Sequence, residues 1–191
     1  MSSLKMAMIM SMIVCLTGCL QSLHPLFTRG EWIFDPGLVG TWTDEKSEET
    51  LVFEQMVDGG KKKQKAYTLV HTDEEGDPAR LSAYLGKIGD RWFLDIYPEY
   101  PADNNEFVLL HLMPMHTFHR IWMGQDTFEI AMLDREWFKR LVEQQKVDVA
   151  YEDIDGTFIL SAPTPDLQAF VRTHAGDEDA FCDPSTYHRK P

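Results

Sequence analysis

Hydrophobic and polar positions divide the chain into stretches of different period. Met6 to Leu16 (MAMIMSMIVCL) is almost unbroken apolar sequence, too short to cross a bilayer core, which takes about 20 residues. From Leu38 onward the period is two. Leu38–Thr43 reads as a first strand, and Thr50–Val57 as a second, ended by Asp58-Gly59-Gly60. Tyr67 and Leu69 share one face of the next. Leu81, Ala83 and Leu85 alternate up to Gly89-Asp90, which turns the chain into Trp92, Leu94 and Ile96, a hairpin signal. Val108–Met123 reads as one long strand interrupted by Pro114, and Gly124-Gln125-Asp126 leads into Phe128, Ile130 and Met132.

The period then changes to that of a helix. In Asp134–Gln145, Trp137, Phe138, Leu141 and Val142 fall on one face, with Asp134 placed to cap the first turn. A last hairpin, Ala150–Ile154 and Thr157–Ser161, surrounds Asp155-Gly156. Thr164-Pro165-Asp166 opens a second helix, Thr164 as its cap, with Leu167, Phe170, Val171 and His174 on one face and Gly176 at its end. Roughly seven to nine short antiparallel strands predict a mainly β fold, an up-and-down barrel or strongly curved sheet with two peripheral helices. The expected boundaries are 1–18, a signal sequence; 19–36, a lead-in too rich in aromatics (Phe27, Trp32, Phe34) for a free tether; 37–176, the barrel-like domain; and 177–191, a polar C-terminal tail, mobile except around Phe181.

The N-terminus supplies an address. Lys5 precedes the apolar run, whose length suits a signal-peptide core, and Leu16-Thr17-Gly18-Cys19 follows it. This segment resembles the lipobox of bacterial lipoproteins. The resemblance implies that Cys19 is acylated on sulfur, becomes the first residue of the mature chain and is acylated again on its amine. One acyl chain holds marginally, and two or three anchor firmly. Leu20, in place of an aspartate, implies the outer membrane, facing the periplasm, if the source has two membranes.

Charge narrows the partners. With 31 acidic against 18 basic residues the net charge is −13, which repels nucleic-acid phosphates and excludes nucleic-acid binding. The basic run Lys61-Lys62-Lys63-Gln64-Lys65 reads as a solvated hairpin tip. Of three cysteines, the lipobox resemblance implies that Cys15 leaves with the signal and Cys19 carries lipid. Cys182 then stands alone, a half-buried small apolar residue with no intrachain disulfide expected.

Candidate chemistry is sparse. Gly40-Thr41-Trp42 resembles the Gly-x-Trp signature on the first strand of lipocalins, where the tryptophan closes one end of an up-and-down barrel; the resemblance implies a barrel and gives Trp42 a structural role. In HLMPMHTFH a regular strand would put His111, Met113, Met115 and His119 on one face, soft ligands of the kind Cu(I) selects. Against that, Pro114 breaks a ladder, and methionine alternating with leucine is ordinary core. Asp73–Asp77 and Asp153-Ile154-Asp155-Gly156 have the acids of calcium loops and the grammar of turns; in the second, Tyr151 and Ala162 occupy ligand positions. Asp95 is either buried among aromatics and functional or, as Trp92, Leu94 and Ile96 alternate against it, on a solvent face. No nucleophile elbow, zinc helix or phosphate loop occurs, and neither an enzyme nor a cofactor is expected. The expectation is a non-enzymatic, membrane-anchored envelope protein binding a small apolar ligand or an envelope protein partner. The alternatives are an assembly factor without a pocket and a copper-handling protein using residues 111–119.

Overall fold

The alternating sequence closes into a cylinder. A computed structural model of the chain describes residues 19–44, 46–60, 62–99 and 105–190. The predicted signal sequence 1–18, and with it the first three lipobox residues, lies outside the described residues, as does Lys61 of the basic run. A two-residue strand β1 (Gln21–Ser22) precedes β2 (Gly40–Asp44), β3 (Thr50–Asp58), β4 (Lys62–Thr72), β5 (Pro78–Ile88) and β6 (Arg91–Pro98). A four-residue helix α1 (Glu106–Leu109) leads to β7 (His116–Met123) and β8 (Thr127–Met132). After α2 (Arg135–Glu143) come β9 (Tyr151–Ile154), β10 (Thr157–Leu160), α3 (Thr164–His174) and β11 (Ser185–Arg189).

Strands β2 to β8 pair in sequence order, and β11 inserts between β8 and β2, so that an eight-stranded antiparallel barrel is closed. Closure leaves these strands no open edge. The expected mainly β barrel with two peripheral helices is the fold observed. The polar tail is not: Tyr187 pairs with Asp44 on one side and Phe128 on the other, and Arg189 pairs with Trp42. Its only large apolar residue facing the interior is Tyr187, too little for a period to show.

The long strand expected over Val108–Met123 is also corrected. The Asn105 side chain accepts the Phe107 N–H at 2.8 Å and starts a helical turn. Pro114 has no N–H to give a ladder, and pairing begins only at His116. Strand β1 opens a small annexe: it lies antiparallel to the first residues of β7 and parallel to β10, which carries β9 on its far side.

Two cores result. Inside the barrel, Trp42, Phe53, Tyr67, Leu69, Leu85, Leu94 and Phe128 pack against one another. On its outer face, Phe93, Phe118 and Ala131 are covered by Leu20, Leu26 and Phe27 of the lead-in and by Phe138 of α2 and Leu167 and Phe170 of α3. Asp134 caps α2 by accepting the Trp137 N–H. Thr164 does not cap α3; Pro163 holds that position, and the Thr164 hydroxyl donates to the Pro25 carbonyl at 2.7 Å, tying the helix to the lead-in. The lead-in packs as its aromatics predict. Trp32 stacks on Tyr84 at 4.4 Å, and the Ile33 N–H donates to Leu85. Gly86 makes the approach possible, since a Cβ there would lie 2.6 Å from the Phe27 ring. Among the described residues no helix is long and apolar enough to cross a membrane.

Candidate functional site

Antiparallel pairing gives the barrel two ends. At one, the Trp42 end, lie the β3–β4, β5–β6 and β7–β8 turns; at the other, the Cys19 end, lie the β4–β5 and β6–β7 connections and the exit of β8. The Trp42 end is plugged. Asp35 caps a 3-10 turn over Pro36–Leu38 by accepting the Gly37 N–H at 2.8 Å. The Tyr67 hydroxyl rises from inside the barrel to accept the Asp35 N–H at 2.7 Å and donate to the Asp35 carbonyl at 3.0 Å; burial pushes this phenol up to about 12. The Trp42 indole donates to the Leu38 carbonyl at 2.9 Å.

Arg189 of β11 completes the plug. Its guanidinium covers the Trp42 ring at 4.1 Å and donates to the carbonyls of Val39 and Gly37. Gly40 has φ +140°, and a Cβ there would lie 2.6 Å from the Arg189 Nη1, which is why glycine stands two residues before the tryptophan. Outside the plug a half-open depression of about 440 Å³ is lined by Leu38, Trp42, Trp92, Met123, Gln125 and Phe128. Sequence reasoning found Trp42; Arg189 carries no local signal, because what matters is its partner on the neighbouring strand β2, remote in sequence.

At the opposite end the chain enters the fold at Cys19, which bridges to Asp134 just beyond β8. The residue is half-buried, and its sulfur lies 3.0 Å from the Met132 sulfur. Leu20, the next residue, is already fully buried. Cys182 approaches the same corner: its N–H donates to the Met132 carbonyl and its Sγ lies 3.4 Å from an Asp134 carboxylate oxygen.

The four histidines and methionines expected on one strand face are not brought together. His111 and Met113 are exposed on the connection before β7, and the His111 ring leans on Phe107 at 4.8 Å. Met115 is half-buried ahead of the strand, and His119 alone turns into the barrel. The one-face geometry required an extended backbone from 111 onward, which begins only at 116. His119 Nε2 meets the Thr117 hydroxyl at 2.9 Å, while Nδ1 is buried without a hydrogen-bond partner. Burial pulls its pKa down to about 4. Among the described residues no three His, Cys, Asp or Glu side chains are placed to hold a metal ion. Both acidic loops are turns: Asp73 Oδ1 accepts the Asp77 N–H, and Asp153 Oδ1 accepts the Gly156 N–H.

Asp95 is fully buried, contrary to the solvent-face reading. The alternation assigned it to the outer face of β6 correctly, but that face is covered by the lead-in. One carboxylate oxygen lies 2.7 Å from His116 Nδ1, whose ring packs on Tyr97, and the other accepts the Leu26 N–H at 2.8 Å. Burial raises its pKa, with the His116 contact and the N–H groups of Leu26 and Phe27 working against the rise. Both carboxylate oxygens are engaged, so the group acts as a clamp between β6, β7 and the lead-in. No protein-family model matches the chain, and neither a curated protein nor a solved structure matches it.

Proposed function

We propose that this is a lipid-anchored, non-enzymatic protein of the bacterial cell envelope, in which a solid barrel serves as a scaffold for docking an envelope protein partner. The lipobox-like Leu16–Cys19 segment supports the anchor, and Leu20 after the cysteine favours an outer membrane, facing the periplasm, in a two-membrane source. The observation that carries the choice of mode is the barrel interior. Trp42, Phe53, Tyr67 and Phe128 each have at most 1% of their surface exposed, and an eight-stranded barrel is narrow enough for side chains to fill. A ligand lying along the axis would have to displace this aromatic core.

A second reading retains a small apolar ligand, seated outside the plug in the depression beside Trp42 and Trp92; its volume falls in the range of ordinary small-molecule sites. Titration with a fluorescent apolar probe separates the two. The scaffold reading expects no saturable binding; one-to-one binding that is lost in Trp92→Ala would replace it with the ligand reading. For the anchor, Cys19→Ser is expected to abolish labelling by radioactive palmitate, and persistent labelling of that variant would refute the assignment.

A further inference from the structure

We propose that residues 105–115 of the connection between β6 and β7 enter the bilayer interface beside the lipid on Cys19, so that the barrel rests on the β6–β8 side of its Cys19 end with the Trp42 plug facing away from the membrane. The proposal rests on the reading of Cys19 as a lipid anchor.

Of the large apolar side chains exposed among the described residues, four fall within seven positions of this connection: Phe107 at 70%, Leu110 at 80%, Leu112 at 50% and Met113 at 66%. The others, Val57, Trp122 and Ile154, lie on three different strands. A contiguous exposed apolar segment marks a surface that something covers.

Charge and geometry select the membrane as that cover. From Asn105 to Met115 there is one acidic residue, Glu106, in a chain that carries 31. The acidic β4–β5 connection (Asp73, Glu74, Glu75, Asp77) lies at the same end and is repelled by anionic headgroups, so it is the β6–β8 side of that end, where residues 105–115 carry little of that repulsion, that meets the bilayer. Register places it with the anchor. Thr117, the second residue of β7, pairs with Ile96 on one side and Gln21 on the other. The chain therefore runs from Cys19 to the strand start where the connection ends, and Cys19 itself bridges to Asp134 at the exit of β8.

There is also no slack between lipid and barrel. Leu20 is 1% exposed and its N–H donates to the Leu133 carbonyl, so an acylated Cys19 holds this end of the barrel at the headgroups. Side chains projecting there must be compatible with the interface, and aromatic and aliphatic groups are.

The test uses the full-length lipidated protein reconstituted in phosphatidylethanolamine–phosphatidylglycerol vesicles containing brominated lipid, with tryptophan introduced singly by Leu110→Trp or Val57→Trp. Both positions are exposed, so the substitutions leave the cores intact. Relative to the parent protein, Leu110→Trp is expected to lose emission to the bromines, whereas Val57→Trp, at the Trp42 end, is expected to lose none. Should Leu110→Trp remain unquenched by bromine but open to aqueous iodide while the protein floats with the vesicles, the loop faces solvent and the proposal fails with the anchor intact. Shielding from both quenchers would assign the loop to a protein cover, a second copy or the Met6–Leu16 segment, and would also overturn it. If the parent protein itself does not float with vesicles and takes up no palmitate, it is the anchor reading that falls.

Discussion

The Arg189 guanidinium lies face-on over the Trp42 indole, 4.1 Å from its centroid, while donating to two carbonyls of the turn that leads into β2. A residue near the C-terminus thereby locks the first barrel strand. Arg189→Ala removes the stacked cation and its hydrogen bonds, and should destabilise the fold by about 2–4 kcal/mol. Deleting 185–190 should abolish cooperative unfolding, since β2 and β8 lose their shared neighbour. Urea denaturation followed by tryptophan fluorescence reads both, and an unchanged midpoint in the deletion would show that β11 is dispensable.

Gly40 and Arg189 should behave as a coupled pair. Gly40→Ala imposes a side chain where φ is +140° and where the guanidinium sits. Part of its cost is backbone strain of about 1–3 kcal/mol, and part is the collision. In a double-mutant cycle with Arg189→Ala the collision disappears, so the two losses should sum to more than the double variant shows. Additive losses would mean that the contact plays no part.

Gly86 makes a parallel case on the outer face. Gly86→Ala drives a methyl group into the Phe27 ring and should cost about 1–3 kcal/mol, as overpacking does. The lead-in should become more sensitive to protease near residues 24–31 before the barrel unfolds. Limited proteolysis with mass spectrometry of the fragments checks this, and equal protection in parent and variant would count against it.

Asp95→Ala should release the same segment by another route. It leaves the Leu26 N–H and the His116 Nδ1 without their partner, at a cost of about 1–3 kcal/mol for each buried group left unpaired. Hydrogen exchange at the Leu26 and Phe27 amides should accelerate well beyond any change in β3 or β4. Uniform acceleration across the barrel would argue that Asp95 supports the whole fold and not the clamp.

Acid should weaken the fold through His119. Its folded pKa is lowered to about 4 from an unfolded value of 6.5, so the unfolded chain binds the proton first. Stability from this group is complete above about pH 6.5, declines as pH falls towards 4, and by then has lost about 3 kcal/mol. Asp95 works with the opposite sign: its raised pKa makes the folded state take up a proton before the unfolded one, which favours folding as pH falls. His119→Leu should therefore remove the decline between pH 6.5 and 4 that the parent shows. If parent and variant have parallel stability profiles across that window, His119 is not its source.

Much of the barrel was legible because alternation is a local property: each of Leu81, Ala83 and Leu85, or Trp92, Leu94 and Ile96, repeats at period two within one strand. Alternation separates two faces without saying which is wet. For Asp95 alternation gives the face but leaves burial and exposure both open, because the cover that decides between them comes from Leu26 and Phe27, far away in sequence. The His/Met segment failed for a different reason. His111 to His119 has the composition of a strand, but Asn105 starts a helical turn and Pro114 refuses the ladder, so its candidate ligands point apart. Strand β11 stayed hidden because a five-residue strand with one large apolar residue facing inward offers no period to detect.

The place of β11 sets a schedule for the nascent chain. Every strand from β2 to β8 can meet its sequence neighbour as it is made, but β2 and β8 each keep one exposed edge until residues 185–189 arrive. Until then the growing sheet is open to pairing with other chains, and closure joins segments remote in sequence, a slow kind of contact to form. A polypeptide that already carries β2 to β8 therefore remains unlocked until residues 185–189 emerge.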